Sequence, residues 1–106
     1  LKAIYLDRGT RSIADLMEVQ TGVFLITRIN VPKASRGQGL GSKILKEILE
    51  DADEEDVTLE IHPMPSGGLT RKQLSEWYIR YGFKWEPSIA LPGDPIEVLI
   101  REPRAG

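Results

Sequence analysis

The sequence predicts an α/β domain built on a mixed β-sheet, and three observations predict it. Strand-like and helix-like patterns follow one another in the order β, β, β, helix, β, helix, β, β. The strongest strand pattern, "VFLITRINV" at residues 23–31, is β-branched, aromatic and apolar on both faces for most of its length. Such a strand is expected at the centre of a sheet, covered on both sides. Between it and an amphipathic helix stands "SRGQGLGSK", with Gly37, Gly39 and Gly41 at every second position.

The elements can be justified in order. "LKAIYL" reads as a short apolar strand and "DRGTRS" as a turn. "IADLMEVQ" suits a strand or a short helix, and Thr21-Gly22 after it has the chemistry of a hairpin turn. Pro32 stops the central strand, because proline cannot donate to a ladder. In "LGSKILKEILEDA", Leu40, Ile44, Leu45, Ile48, Leu49 and Ala52 share one helical face. The helix ends among Glu50, Asp51, Asp53, Glu54, Glu55 and Asp56, an acidic crowd at the negative end of its dipole. These charges are expected to form a solvated face, with attraction of a cationic acceptor or basic partner as the other reading.

"VTLEIH" alternates, with Val57, Leu59 and Ile61 on one side and Thr58, Glu60 and His62 on the other. After the loop "PMPSGG", "TRKQLSEWYIRYG" forms a second helix. Thr70 and Gln73 have capping-box spacing, Leu74, Trp77, Tyr78 and Tyr81 form an apolar stripe, and Gly82 suits the C-terminal stop. "FKW" and "IEVLI" close the sheet across a loop rich in proline and glycine. No repeat or linker divides the chain, so residues 1–106 are expected to form a single domain.

Composition narrows the function. Hydrophobic residues make up 41 % and charged residues 28 %, which is enough for a core and too apolar for a disordered chain. A net charge of −2 with no long basic run argues against nucleic acid. The absence of cysteine removes disulfides, zinc–thiolate sites and a cysteine nucleophile. His62 is the only histidine, so no multi-histidine metal site is expected. No apolar stretch approaches the ~18 residues of a membrane span, and a cytoplasmic location is the expectation.

A strand, a glycine-rich turn and a helix N-terminus together suit an anion. The free N–H groups of the first helical turn point outward, and glycine lets a phosphate reach the backbone. A P-loop would require Gly-Lys-Ser/Thr, but Gly41 is followed by Ser42-Lys43. A dinucleotide fingerprint would require G-x-G-x-x-G, but the spacing here is G-x-G-x-G. Arg36-Gly37-Gln38-Gly39-Leu40-Gly41 does match Gln/Arg-x-x-Gly-x-Gly/Ala, the pyrophosphate loop of the GNAT superfamily of N-acetyltransferases.

The chain resembles that superfamily over residues 14–101. "INVPKASRGQGLG" looks like its central strand running into the acetyl-CoA loop, and the following helix has the right length. "WYIRYGF", about 40 residues downstream, looks like its second conserved segment. The resemblance implies a mostly antiparallel mixed sheet with flanking helices, whose bulged central strand splays from its neighbour. It also implies that acetyl-CoA is the cofactor and an amine the acceptor. Ile29, Asn30 and Val31 would pair with the pantetheine arm. The backbone of Gly37, Gln38, Gly39, Leu40, Gly41 and Ser42 would hold the pyrophosphate, with Arg36 adding positive charge.

In the reaction so implied, a neutral amine attacks the thioester carbonyl. A strand amide near Ile29 would serve the developing oxyanion. Tyr78, four residues before Gly82, maps to the acid that protonates the leaving thiolate; it also belongs to the apolar stripe of its helix. Glu60 and His62 are the first candidates for the base, followed by Asp15 and Glu18. Two departures stand out. Arg71 replaces the asparagine that many relatives carry seven residues before the tyrosine. The two N-terminal helices that usually wall the acceptor site are largely missing. The acceptor site is therefore expected to be open, or completed by a partner or a second copy in a homodimer, which suits a large acceptor such as a protein. The same departures leave open a non-catalytic binding or regulatory protein on this fold.

The glycine loop is directly testable. Gly39→Val or Gly41→Val would place a branched Cβ against the pyrophosphate. Acetyl-CoA binding by calorimetry is expected to weaken at least ~10-fold, about 1.4 kcal/mol, with an unchanged circular dichroism spectrum. Unchanged affinity would reduce the glycines to a turn.

Overall fold

The computed structural model describes residues 1–9, 11–30, 40–65 and 69–104. Among the described residues, six strands and two helices follow the expected order: β1 (Ile4–Asp7), β2 (Ser12–Gln20), β3 (Val23–Asn30), α1 (Leu40–Glu54), β4 (Thr58–Ile61), α2 (Arg71–Arg80), β5 (Lys84–Pro87) and β6 (Glu97–Arg101). The ambiguous segment after the first turn is thus a strand. The strands form one sheet in the order β1-β2-β3-β4-β6-β5. Only β3 and β4 pair in parallel; the other neighbours are antiparallel. Among the described residues, no helix is long and apolar enough to cross a membrane.

Both helices pack on one face of this sheet. Ile44, Leu45, Ile48, Leu49 and Ala52 of α1 and Tyr78 of α2 share a buried cluster with Tyr5, Ala14, Leu16, Ile26, Leu59 and Ile61. The expected α1 stripe therefore matches, apart from Leu40, whose side chain lies outside the described residues. At the start of α2, Gln73 N–H donates to Thr70 Oγ1 at 3.1 Å. Thr70 N–H donates back to Gln73 Oε1 at 2.9 Å, completing the capping box. Gly82 follows the helix at φ +97°, where a Cβ would lie 2.6 Å from the Arg104 guanidinium.

Two expectations require correction. β3 is central but not covered on both sides along its length. Val23 and Ile26 are buried, whereas Thr27, Arg28 and Asn30 are exposed. The helices cover one face only, and β4 stops before β3 does. On the opposite face Ile4, Leu6 and Met17 are exposed.

The acidic end of α1 is not simply a solvated face. Tyr5 donates its hydroxyl to Asp51 Oδ2 at 2.6 Å. Burial, reinforced by that hydrogen bond, pushes the Tyr5 phenol well above its ordinary value. Asp53 receives both guanidinium nitrogens of Arg101, at 2.8 and 3.0 Å, and the Arg104 N–H at 2.9 Å. The last turn of α1 therefore faces donors from β1, β6 and the C-terminal segment, which offset the unfavourable dipole.

Arg101 is only 4 % exposed, and its Nε donates to the Tyr81 carbonyl at 3.2 Å. Asp53→Ala would leave this buried guanidinium short of its anion. A loss of about 2–3 kcal/mol in urea unfolding is expected. The Arg101 hydrogen bonds hold the Asp53 carboxyl below its ordinary value. The stabilisation is therefore present above the unfolded-state value and lost as pH falls through the folded one. The acid limb of stability should be flatter in Asp53→Ala than in the parent.

Candidate active site

The site begins where two parallel strands part. β3 and β4 pair only from Val23↔Thr58 to Ile26↔Ile61. β4 ends there, and the chain turns away through His62-Pro63; Pro63 has no N–H with which to extend the ladder. β3 runs on through Thr27–Asn30 with β2 on its other side. Between Ile26↔Leu16 and Arg28↔Asp15, β3 advances two residues while β2 advances one, so Thr27 is the extra residue of a β-bulge. A bulge bends its strand and increases local twist. Thr27 Oγ1 donates to the Asp15 carbonyl at 3.0 Å, and Arg28 forms an ion pair with the Asp15 carboxylate at 2.7 Å. Both contacts tie the second half of β3 to β2. On the β4 side, the edge of β3 beyond Ile26 has no strand partner among the described residues.

Glu60 lies beside the parting, on the face opposite the helices. Leu59 and Ile61 point into the core, so alternation turns Glu60 outward. It is nevertheless 0 % exposed, because the loop between β5 and β6 folds over it. Oε1 accepts the N–H groups of Ile89 at 2.7 Å and Ala90 at 3.2 Å. Oε2 accepts the Ser88 hydroxyl at 2.6 Å and meets His62 Nε2 at 2.5 Å. Burial raises the Glu60 carboxyl, but the hydrogen bonds from Ser88, His62, Ile89 and Ala90 outweigh it and hold the group below its ordinary value. Glu60 is thus a buried, ionised carboxylate with both oxygens occupied.

His62 is half-buried and lines a cleft of about 200 Å³. Arg71, Ser88, Leu91, Asp94 and Glu97 also line it. Arg71, at the position where an asparagine was expected, lies 5.1 Å from the centre of the Trp85 ring. Asp15 is engaged with Arg28, and Glu18 is exposed.

Tyr78 is 2 % exposed, against Trp77 at 4.9 Å and Phe83 at 5.4 Å between ring centres. Burial pushes its phenol well above the ordinary value, so it stays protonated throughout the neutral range. Its hydroxyl has no hydrogen-bond partner among the described residues. Of the residues expected to hold the cofactor, Ile29 and Asn30 lie on the stretch of β3 that pairs with β2 but has no partner on its β4 side among the described residues. Leu40, Gly41 and Ser42 form the first residues of α1. Val31, Arg36, Gly37, Gln38 and Gly39 lie outside the described residues.

Ser88 and the amides of Ile89 and Ala90 escaped the sequence reading. Their segment reads only as a Pro/Gly-rich connection. Nothing in its spacing says that it would fold onto a carboxylate 28 residues earlier.

No protein-family model matches the chain, and no curated protein does. Solved structures match it in fold. The chain is similar to the anti-CRISPR protein AcrVA5, with TM-score 0.69 and 15% identity over 93% of this chain and 98% of that one. A GNAT family acetyltransferase from Elizabethkingia anophelis with acetyl-CoA bound gives TM-score 0.66 and 22% identity, over 93% of this chain and 74% of that one. A GNAT family N-acetyltransferase from Escherichia coli in complex with CoA gives 0.61 and 17%, over 92% and 55%. The chain has the GNAT fold.

Glu60 ties its loop to the sheet through charge, and acid should release it. Its folded-state value is depressed, so its contribution is present above the unfolded-state value and lost as pH falls through the folded one. Trp85 lies on β5, which leads into this loop, and its emission can report the change. Urea midpoints should fall on acidification in the parent and vary less with pH in Glu60→Gln. Equal slopes would mean that the carboxylate contributes nothing.

Proposed function

We propose that this chain is an acetyl-CoA-dependent N-acetyltransferase that moves an acetyl group to a primary amine. The observation that carries this reading is the parting of β3 from β4 at Ile26/Ile61, with the bulge at Thr27. It leaves those backbone amides and carbonyls of Thr27–Asn30 that face away from β2 without a ladder partner on the β4 side, on a GNAT fold. An amide-bearing arm such as pantetheine could take these groups as an added strand would. Leu40, Gly41 and Ser42 open α1, where unpaired N–H groups and the helix dipole favour a pyrophosphate. These residues therefore fit the cofactor. When bound, acetyl-CoA supplies the acyl group as a thioester, already activated toward amines.

The chain's own groups would do the rest. The backbone N–H near Ile29 donates to oxygen as negative charge develops there. Tyr78 donates from its hydroxyl to the departing sulfur. With its phenol above the ordinary ~10 and a thiol near ~8.5, complete proton transfer runs uphill. Tyr78 therefore acts chiefly through a hydrogen bond that strengthens as charge gathers on sulfur. His62, backed by the buried Glu60 carboxylate, forms the proton-accepting side, at the wall of the cleft that would admit the amine.

Tyr78→Phe keeps the ring and removes only the donor. A screen of polyamines, aminoglycosides and lysine-containing peptides comes first. With an active acceptor in hand, kcat should fall ~10²–10⁴-fold while acetyl-CoA affinity by calorimetry is unchanged. An unchanged kcat would make Tyr78 a packing residue. Binding of acetyl-CoA with no acceptor turned over would favour a non-catalytic binding protein on this fold, and no binding would end both readings.

A further inference from the structure

We infer that Glu60 is a positioning residue, not the base, and that it fixes the tautomer of His62 so that Nδ1 is the nitrogen offered to the acceptor. This deepens the acetyltransferase reading and rests on it for its catalytic meaning, though the tautomer itself can be tested without it. Three observations lead to it.

First, the Glu60 carboxylate has no room for a substrate proton. It is completely buried and already takes four donors, from Ser88, His62, Ile89 and Ala90. An amine could not reach it without first displacing the loop at residues 88–90. Second, an ionised carboxylate only accepts hydrogen bonds, so the His62 nitrogen facing it must carry a hydrogen. That nitrogen is Nε2. In the neutral ring the other nitrogen, Nδ1, then holds the lone pair, and it has no hydrogen-bond partner among the described residues. Third, the imidazole lines the cleft, whereas the carboxylate lies beneath the loop. Imidazole is also the side chain suited to exchange protons near neutrality.

Ser88 takes part in the same arrangement. Its hydroxyl donates to Oε2 and accepts the Leu91 N–H at 2.9 Å. Ser88 and Leu91 both line the cleft. The carboxylate that orients His62 therefore also holds the cleft wall facing it, so loop and base are set by one anion.

His62 is the only histidine, so its two ring nitrogens can be read without assignment ambiguity. Long-range ¹H–¹⁵N correlation on ¹⁵N-labelled protein separates a nitrogen that carries hydrogen from one that does not. Above the range in which the ring takes a second proton, the parent is expected to show hydrogen on Nε2 and a lone pair on Nδ1. The reverse pattern, or two averaged nitrogens, would overturn the inference with no variant needed. In Glu60→Gln, the amide oxygen can keep the Ile89 and Ala90 N–H groups, which turns its NH₂ toward Ser88 and His62. The tautomer should then invert, while Ser88→Ala should leave it unchanged. A folded Glu60→Gln protein that keeps hydrogen on Nε2 would also refute it.

Turnover gives the second arm. Once an acceptor is known, Glu60→Gln should lower kcat at least ~10-fold with acetyl-CoA affinity retained. It should have no further effect when His62→Gln is already present, because the two act as one unit. A full additional loss in the double variant would make Glu60 an independent base and defeat the proposal. If acetyl-CoA does not bind at all, the acetyltransferase reading fails, while the tautomer is still decided by the spectrum.

Discussion

The buried charge of Glu60 is the constraint on which the candidate site depends. A carboxylate with no exposure survives in a fold only if its lone pairs are answered. Here the answers come from a hydroxyl, an imidazole and two backbone amides, three of them in a loop that has no regular structure. That loop has few other reasons to lie where it does. One anion at the second-to-last position of β4 thus converts an irregular connection into the wall of a cleft and turns a histidine ring to face it.

The parting of the strands is a backbone matter and complements this. β4 ends because His62-Pro63 cannot continue the ladder, and β3 continues because β2 holds it through Asp15, Arg28 and the bulge at Thr27. A gap set by covalent geometry and a bulge is fixed by the chain itself, and preorganisation of that kind reduces the ordering cost of binding. On the helix face the opposite economy holds: acidic residues at the end of α1, poorly placed for the dipole, become the sockets for Tyr5 and Arg101.

Much of this was legible in the residues. Order and type of the elements follow from local periodicity, and the capping box of α2 from the spacing of Thr70 and Gln73. The fold class followed from the glycine run and "WYIRYGF" taken with that order. What escaped is what depends on distant partners. The strand pattern at residues 23–31 is apolar enough for a fully covered strand, but coverage is a property of its neighbours. Alternation placed Glu60 and His62 on one face correctly. It could not show that Glu60 is buried, because the segment that covers it comes 28 residues later. Likewise the acidic run ending α1 carries no mark of Arg101, some 48 residues away.

The strand order has a consequence for how the chain is made. β6 follows β5 in the chain but does not sit at an edge; it lies between β4 and β5. Strands β1 to β3 can pair with their sequence neighbours as soon as they emerge from the ribosome. The other half of the sheet cannot, because β4 and β5 have no ladder to each other and wait for residues 97–101. Until then, β4 has one edge unpaired, Arg101 is absent from Asp53, and the loop over Glu60 has no far anchor. Synthesis therefore passes through a stage in which the strand carrying Glu60 is half-finished, and residues 97–101 close the sheet and the cleft in one event.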